Sequence, residues 1–545
     1  MLQYGQKSFL IVDDYSDFRT ATRSMLRELG VRDVDTADSG EQALRLCAQK
    51  RYDFILQDFH LGDGRKNGQQ VLEDLILDKL ISHECVFVMV TAETSQAIVL
   101  SALEHEPDAY LTKPFNRMGL AQRLEKLVQR KTLLKPILQA LDRARPAEVL
   151  AACAELCKQD PRFAPLCLRY RADALRDLGR VDELEKFLKS ILASRATPWA
   201  YAALGNLMHK RGQYEQAQGV FEQALKAFPI MPGLYDGMAD ALVAQGDTKR
   251  AQSMLEEAVR LSPLAVRRQA ALGKLALDNE DFEGASKAFR HAVSQGQSSR
   301  YKSPESNLGL VQALMNKNTG NGLDARTRVE INTVLGEVAK ENGEDQGLQV
   351  RARLMKAASL QQGGDPDTAA KLTEQAMQRL DKMDQFFSVD AALTVARQLQ
   401  QLGQEAAGTS ILKGCVETYG DDPKVMQDVA RLTDDPSVLG AVSEALDLNR
   451  QGVRSYQAGQ LGEALELFRR ALVLQPRNIS IALNTAQALL RMAADSASAA
   501  PLKEIPQQET FLQECRQCLS SVAGIPASDS RYERFRKLHI RAFGA

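Results

Sequence analysis

Two hydrophobic rhythms divide the chain. Over residues 8–130, short apolar runs occur at Phe9–Val12, Phe54–Leu56, Val86–Val90 and Ala109–Leu111, with a weaker one near Val31–Thr36. They alternate with stretches of helical period around Phe18–Leu29, Glu41–Ala48, Val71–Ile76, Gln96–Leu103 and Met118–Val128. Apolar strands separated by amphipathic helices predict a five-stranded parallel sheet, doubly wound, with helices on both faces. Near Lys131 the alternation stops. Beyond it there is almost no strand signal, only helical periodicity punctuated by Gly, Asp and Pro, so the remainder is expected to be all-α.

The ends of the apolar runs gather the chemistry. The first ends in Asp13-Asp14, the third in Asp58 and the fourth in Thr91, while Lys113 follows the fifth. Each of these taken alone is ordinary: Asp is a common turn residue, Thr a common strand residue, and Lys usually sits in solvent. Together they fall at the carboxyl edge of one parallel sheet, where such folds bind ligands. Three neighbouring carboxylates repel and raise one another's pKa unless a cation neutralises them. An all-oxygen ligand set with open positions suits Mg²⁺.

The ordered set DD…D…TA…KP resembles that of the receiver domain of bacterial two-component response regulators, a flavodoxin-like α/β fold, over about the first 130 residues. The resemblance implies that Asp58 is the phosphoacceptor. It also implies that Asp13, Asp14, Asp58 and the backbone carbonyl of His60 hold Mg²⁺. Thr91 and Lys113 would bind the phosphoryl group, and Thr91 and Tyr110 would act as the switch pair. A cis Lys113–Pro114 peptide is implied as well, which the small cis penalty of X–Pro bonds permits. The partner so implied is a histidine kinase or phosphotransfer protein. The loop after Asp58, "HLGDGRKNG", departs from the family pattern: it lacks a proline and is about two residues longer. As a side-chain metal ligand His60 has no companion His or Cys nearby.

The second half repeats itself. Ala217, Ala251 and Ala285 are 34 residues apart, as are Phe221, Leu255 and Phe289, and Ala224, Ala258 and Ala292. Gly205, Ala239 and Gly273 share another position, and Pro229 and Pro263 end two of the units. This resembles the tetratricopeptide (TPR) repeat, a helix–turn–helix unit that stacks into a solenoid. The resemblance is strongest over Pro198–Gln297 and returns at Ala464, Phe468, Ala471 and Pro476. Looser units cover Leu166–Ile191 and Leu354–Met377. The expected organisation is a receiver at 1–130, a helical linker at 131–160 and repeats at 161–300. Degenerate helical repeats would follow at 301–440, then a further repeat and capping helices at 441–545.

Such arrays bind proteins or peptides on their concave face. The inner-helix positions include Trp199, Asn206, His209, Asp236, Asp240, Arg267 and Lys274, a mixed groove. The TPR subclass that clamps C-terminal carboxylates needs Lys and Asn at set positions. Here only Asn206 fits, with Ala202 and Gly237 at two others. Tyr532, Phe535, Leu538 and Ala542 share a helical face near the C-terminus with basic residues opposite, as suits a cap on the exposed end of a solenoid.

Composition adds exclusions. The 545 residues carry a net charge of −1, which gives no global attraction for nucleic acid or anionic membrane, and no helix-turn-helix domain is evident. No GxxxxGKS/T, HExxH or GxSxG signature occurs in the helical half, so the chain is not expected to be an enzyme beyond handling its own phosphoryl group. Eight dispersed cysteines suit reduced thiols, and the isolated pair Cys515 and Cys518 lacks two further ligands for a metal. No segment reaches membrane-spanning length and no apolar leader opens the chain, so a cytoplasmic location is expected. The resulting expectation is a phosphorelay response regulator whose TPR array binds a protein partner in a phosphorylation-dependent way. The alternatives are a regulator or phosphate sink acting on another phosphorelay, and a TPR scaffold with an inert receiver. The face formed by Tyr110 and the fourth and fifth helices is expected to meet either the repeats or a second receiver in a homodimer.

Overall fold

In the computed structural model the described residues are 4–62, 64–92, 95–104, 106–159, 161–318, 322–382, 388–439, 443–499, 505–527 and 529–544. The chain forms two compact units, residues 1–317 and 318–545.

The first unit begins with the α/β domain. In chain order its elements are β1 (Ser8–Val12), α1 (Ser16–Glu28), β2 (Asp33–Ala37), α2 (Gly40–Gln49), β3 (Phe54–Asp58), α3 (Gly68–Leu77), β4 (Val86–Thr91), α4 (Gln96–Leu103), β5 (Ala109–Thr112) and α5 (Arg117–Asp142). The strands are parallel in the order β2-β1-β3-β4-β5, the flavodoxin-like arrangement. Side-chain alternation splits the core between the two faces. Phe9, Ile11, Phe54, Leu56, Val88 and Val90 pack on Leu26 of α1 and on Leu120, Leu124 and Leu127 of α5. Leu10, Val12, Ile55, Phe87 and Met89 pack on Ala43 of α2 and on Val71 and Leu75 of α3. Local caps set the helix starts: Asn67 and Gln70 form a reciprocal capping box on α3, and the Asn116 side chain accepts from the Gly119 N–H at 2.8 Å.

α5 departs from the expected span of Met118–Val128. It runs for 26 residues, with Pro136 in its interior. Its first half belongs to the α/β core, while Leu134, Ile137, Leu138 and Ala140 enter a second cluster with Val149, Cys153, Leu156 and Cys167. The segment expected as a helical linker therefore consists of the second half of α5 and all of α6 (Pro146–Gln159). The extension is strapped to the α/β domain: the Lys131 ammonium donates to the carbonyls of His83 and Cys85 at 2.7 and 2.9 Å and pairs with Asp108.

Antiparallel helix pairs follow: α7 (Ala164–Asp177) with α8 (Val181–Ser194), α9 (Pro198–Lys210) with α10 (Tyr214–Ala227), α11 (Pro232–Ala244) with α12 (Thr248–Leu261), and α13 (Val266–Asp278) with α14 (Phe282–Gly296), then α15 (Pro304–Lys317). The 34-residue period has a direct packing cause. The Phe221 ring is fully buried, and a Cβ at Gly205 or Gly237 would come within 2.5 or 2.2 Å of it. Phe289 sits the same way on Gly273 and Gly309, at 2.8 and 2.5 Å. Each aromatic thus nests on glycines of its own repeat and the next. Asp247 and Asp281, also one period apart, cap α12 and α14 by accepting from the N–H groups of Arg250 and Gly284.

The second unit is all-α among its described residues. Gly452 lies against Phe468, at 2.6 Å from an added Cβ, repeating the same device between Ser443–Gln457 and Leu461–Leu474. The last helix, Tyr532–Phe543, buries Phe535, Leu538 and Ala542 in one cluster with Cys515, Cys518 and Leu519. Cys515 and Cys518 are buried free thiols, both raised by burial. Among the described residues no helix is long and apolar enough to cross a membrane.

Candidate functional site

Sheet register brings the strand ends together. Val12 pairs with Gln57, Asp58 with Val90 and Thr91 with Thr112, so the residues just past them share one edge. Backbone bonds lock that edge: Phe59 N–H donates to Val90 O at 2.9 Å, and Lys113 N–H to Thr91 O at 2.7 Å. Lys113 precedes a cis proline.

The carboxylates of Asp13, Asp14 and Asp58 come within 4.8 Å of one another. Asp13 and Asp58 are buried and Asp14 is exposed, so the trio opens to solvent on one side. The Lys113 ammonium lies 2.7 Å from Asp13 Oδ2 and 3.0 Å from Asp58 Oδ2. Burial pushes the Asp58 carboxyl up to about 6, opposed by Lys113 and assisted by the charge of Asp13. One ammonium does not offset three acids. The surplus negative charge, carried on oxygen donors alone, fits a hard divalent cation such as Mg²⁺. Thr91 is completely buried at the end of β4. Tyr110 is half-buried and packs, with Ile98 of α4 and Leu264 of the repeat array, against the core cluster that contains Met89 and Phe59. His60 is exposed, with its ring edge-on to Phe59.

Several residues of the site were not singled out by their sequence pattern. Phe18 lies under the Lys113 ammonium, 4.1 Å from ring centroid to Nζ, and is braced edge-on by Phe115. The Arg19 guanidinium donates to the Asp13 carbonyl at 2.6 Å, and the Gln57 amide to the Asp58 carbonyl at 2.8 Å. Gly68 is pressed against the Asp58 carbonyl oxygen, with a Cβ there falling 2.4 Å away. Its signal was available in the sequence only as a glycine opening a helix after a glycine-rich loop.

The residues expected in the repeat groove are spread over α9, α11 and α13. Trp199 is half-buried against the hydrophobic cluster of the array. Asn206, Asp240 and Lys274 are exposed, and His209 lies 5.3 Å from the Tyr214 ring. Arg267 stacks over Tyr301 at 5.5 Å. Asp236 is held by Arg268, with Nη2 2.6 Å from Oδ2, so its carboxylate is already engaged within the chain.

Residues 9–125 match the response regulator receiver domain, and residues 208–275 and 242–308 match the tetratricopeptide repeat. Over 121 residues the chain is 31% identical to the chemotaxis protein CheY-3 of Vibrio cholerae serotype O1, covering 22% of this chain and 91% of that protein. It is also 31% identical over 121 residues to the chemotaxis protein CheY of Pseudomonas aeruginosa, covering 95% of it. Among solved structures, Vibrio cholerae CheY4 aligns at 24% identity with a TM-score of 0.20, covering 22% of this chain and 98% of that one. Strand order, acid trio and ammonium agree with the receiver-domain match, and through its N-terminal domain, joined here to tetratricopeptide repeats, the chain belongs to the response regulator receiver family.

Proposed function

We propose that Asp58 accepts a phosphoryl group from a phosphohistidine of a kinase or phosphotransfer protein, and that the TPR array binds a protein partner according to the state of Asp58. The observation that carries this reading is the Lys113 ammonium set between Asp13 and Asp58 at the mouth of an acid trio. In the transfer, an Asp58 carboxylate oxygen forms the new bond to phosphorus as the phosphorus–nitrogen bond breaks, and the imidazole departs and takes up a proton. Lys113 offsets charge on the phosphoryl oxygens, and Phe18 and Asp13 hold its ammonium in place. Asp13, Asp14 and Asp58 are the residues that would hold Mg²⁺, which when bound neutralises the charge that gathers on the transferring oxygens. Thr91 then donates its hydroxyl hydrogen bond to a phosphoryl oxygen and draws its loop inward, and Tyr110 follows. The chain turns over nothing but its own phosphoryl group.

The test is incubation of the full chain with a small acyl-phosphate donor and Mg²⁺, read by intact mass. One acid-stable, base-labile phosphoryl group is expected, absent in Asp58→Asn. Labelling that survives the substitution moves the acceptor elsewhere and refutes the assignment.

A further inference from the structure

The loop that departs from the family pattern, between Asp58 and α3, is held by the repeat array. Its shape depends on glycines at left-handed positions, Gly62 at φ 95° and Gly64 at φ 71°. The turn joining α14 to α15 fits onto it. Ser298 Oγ donates to the Gly64 carbonyl at 2.9 Å, and the Lys66 ammonium donates to the Ser298 carbonyl at 2.7 Å. In the first turn of α3, the Gln70 amide donates to the Gln295 carbonyl at 3.0 Å. Arg300 reaches Asp78 at 3.1 Å and Asp74 at 3.5 Å, and Asp74 also pairs with Lys66 at 2.8 Å. Gln70 and Asp74 are buried by these contacts, and Lys66 is nearly so, its side chain 18% exposed.

This contact is mechanically close to the acceptor. Gly68 N–H donates to Phe59 O at 2.8 Å, and Gly68 touches the Asp58 carbonyl with no room for a Cβ. A shift of residues 64–70 is therefore passed directly to the backbone of Asp58. The loop is thus a part of the site able to yield when Asp58 gains a bulky, charged substituent.

We infer that the α14–α15 turn is an intramolecular brace on the loop following Asp58, so that the docked turn and an occupied acceptor oppose each other. This rests on the reading of Asp58 as phosphoacceptor. Gly64, Lys66 and Gln70 supply the polar groups that the array grips. Linkage makes the effect reciprocal: loosening the brace tightens phosphoryl-mimic binding, and mimic binding loosens the brace.

The experiment measures the affinity of the full chain for beryllofluoride with Mg²⁺ by calorimetry, in the wild type and in Ser298→Ala/Arg300→Glu. Both substitutions lie in the array and leave every acceptor-site residue intact. The variant is expected to bind about fivefold tighter or more, the lower end of ordinary allosteric coupling. A second measurement needs no variant: on adding beryllofluoride and Mg²⁺ to the wild type, amide hydrogen exchange over residues 295–303 is expected to rise. Binding at one affinity by both proteins, or weaker binding by the variant, overturns the brace and leaves the phosphoacceptor reading standing. Unchanged exchange at 295–303 in saturated wild type does the same. No binding by either protein overturns the phosphoacceptor reading itself, and the brace falls with it.

Discussion

Arg268 is the best single handle on the contact between receiver and array. Its guanidinium bonds Glu104, at the end of α4, at 2.8 and 3.3 Å, and Asp236 of α11 at 2.6 and 2.8 Å. Desolvation by burial lowers its pKa, but hydrogen bonds and charge from both acids outweigh this and raise it above the ordinary arginine value. Beside it, Ser101 Oγ and Ser262 Oγ lie 2.9 Å apart. Breaking a fully buried ion pair costs about 3–5 kcal/mol, whereas an exposed pair contributes about 0–1 kcal/mol. The Arg268 side chain is 7% exposed, but Glu104 is 21% and Asp236 35% exposed, so water screens part of the interaction. Arg268→Met should therefore weaken docking of α4 by roughly 2–3 kcal/mol, between those limits. If α4 exchanges by local opening, that is roughly a 30- to 150-fold rise in hydrogen exchange over Gln96–Leu103. Adding Glu104→Gln should recover part of the loss, because it removes the carboxylate left without its cation. A rise of less than about threefold, the worth of a surface pair, would refute the claim that this bridge holds the receiver to the array.

Three further outcomes concern other parts of the first unit. Gly273→Val places side-chain atoms where a Cβ alone already falls 2.8 Å from the Phe289 ring, and should destabilise the array by about 1–3 kcal/mol in urea denaturation. Gly219→Ala, on α10 with nothing within 4 Å of the new Cβ, should stabilise it by about 0.5–1 kcal/mol. Glu73 of α3 is pushed up from 4.5 to about 7, chiefly by burial and then by Asp74, against Arg267, Arg300 and Lys66. A carboxyl raised in the folded state binds its proton more tightly there than in the unfolded chain. Its contribution is thus fully present below about 4.5 and is lost as the pH rises through about 7. Thermal melts of Glu73→Gln should accordingly gain on the wild type from pH 5 to pH 8, and a constant difference across that range would contradict the assignment.

The receiver site was legible because its chemistry breaks the hydrophobic pattern. An acid at the end of a run such as Phe54-Ile55-Leu56 is costly enough to demand a partner, and parallel-sheet topology says where the partners lie. The array was legible through its period, since Phe221 and Phe289 each need a glycine 16 residues earlier, Gly205 and Gly273, on the facing helix of the same repeat. α5 outruns its clearest periodic stretch, Met118–Val128, and passes through Pro136. The helix continues because Leu134, Ile137 and Leu138 are buried on either side of it, and tertiary burial outweighs the lost backbone bond. Phe18, Arg19 and Gly68 escaped notice because their roles come from neighbours in space, and nothing about their own spacing marks them.

The same reasoning explains why the grip on the Asp58–α3 loop could not be read in advance, unlike the expected contact of the α4 and α5 face, and it limits how that grip can work. Ser298 and Gln295 act through backbone carbonyls and one hydroxyl, groups that occur in any turn and leave no compositional trace. Yet they add to a helix shared by both cores, with α5 buried in the sheet at one end and in the array at the other. The receiver is thus fixed to the array at α5, at α4 through Arg268, and at the Asp58–α3 loop through the α14–α15 turn. A domain tethered by a flexible linker can signal by swinging free. One fixed at three points cannot, short of breaking contacts worth several kcal/mol together. Phosphorylation of Asp58, as proposed, would then act on the array through small shifts at the two polar contacts while the shared helix stays in place. The loop beside the acceptor is the element with the shortest path to both.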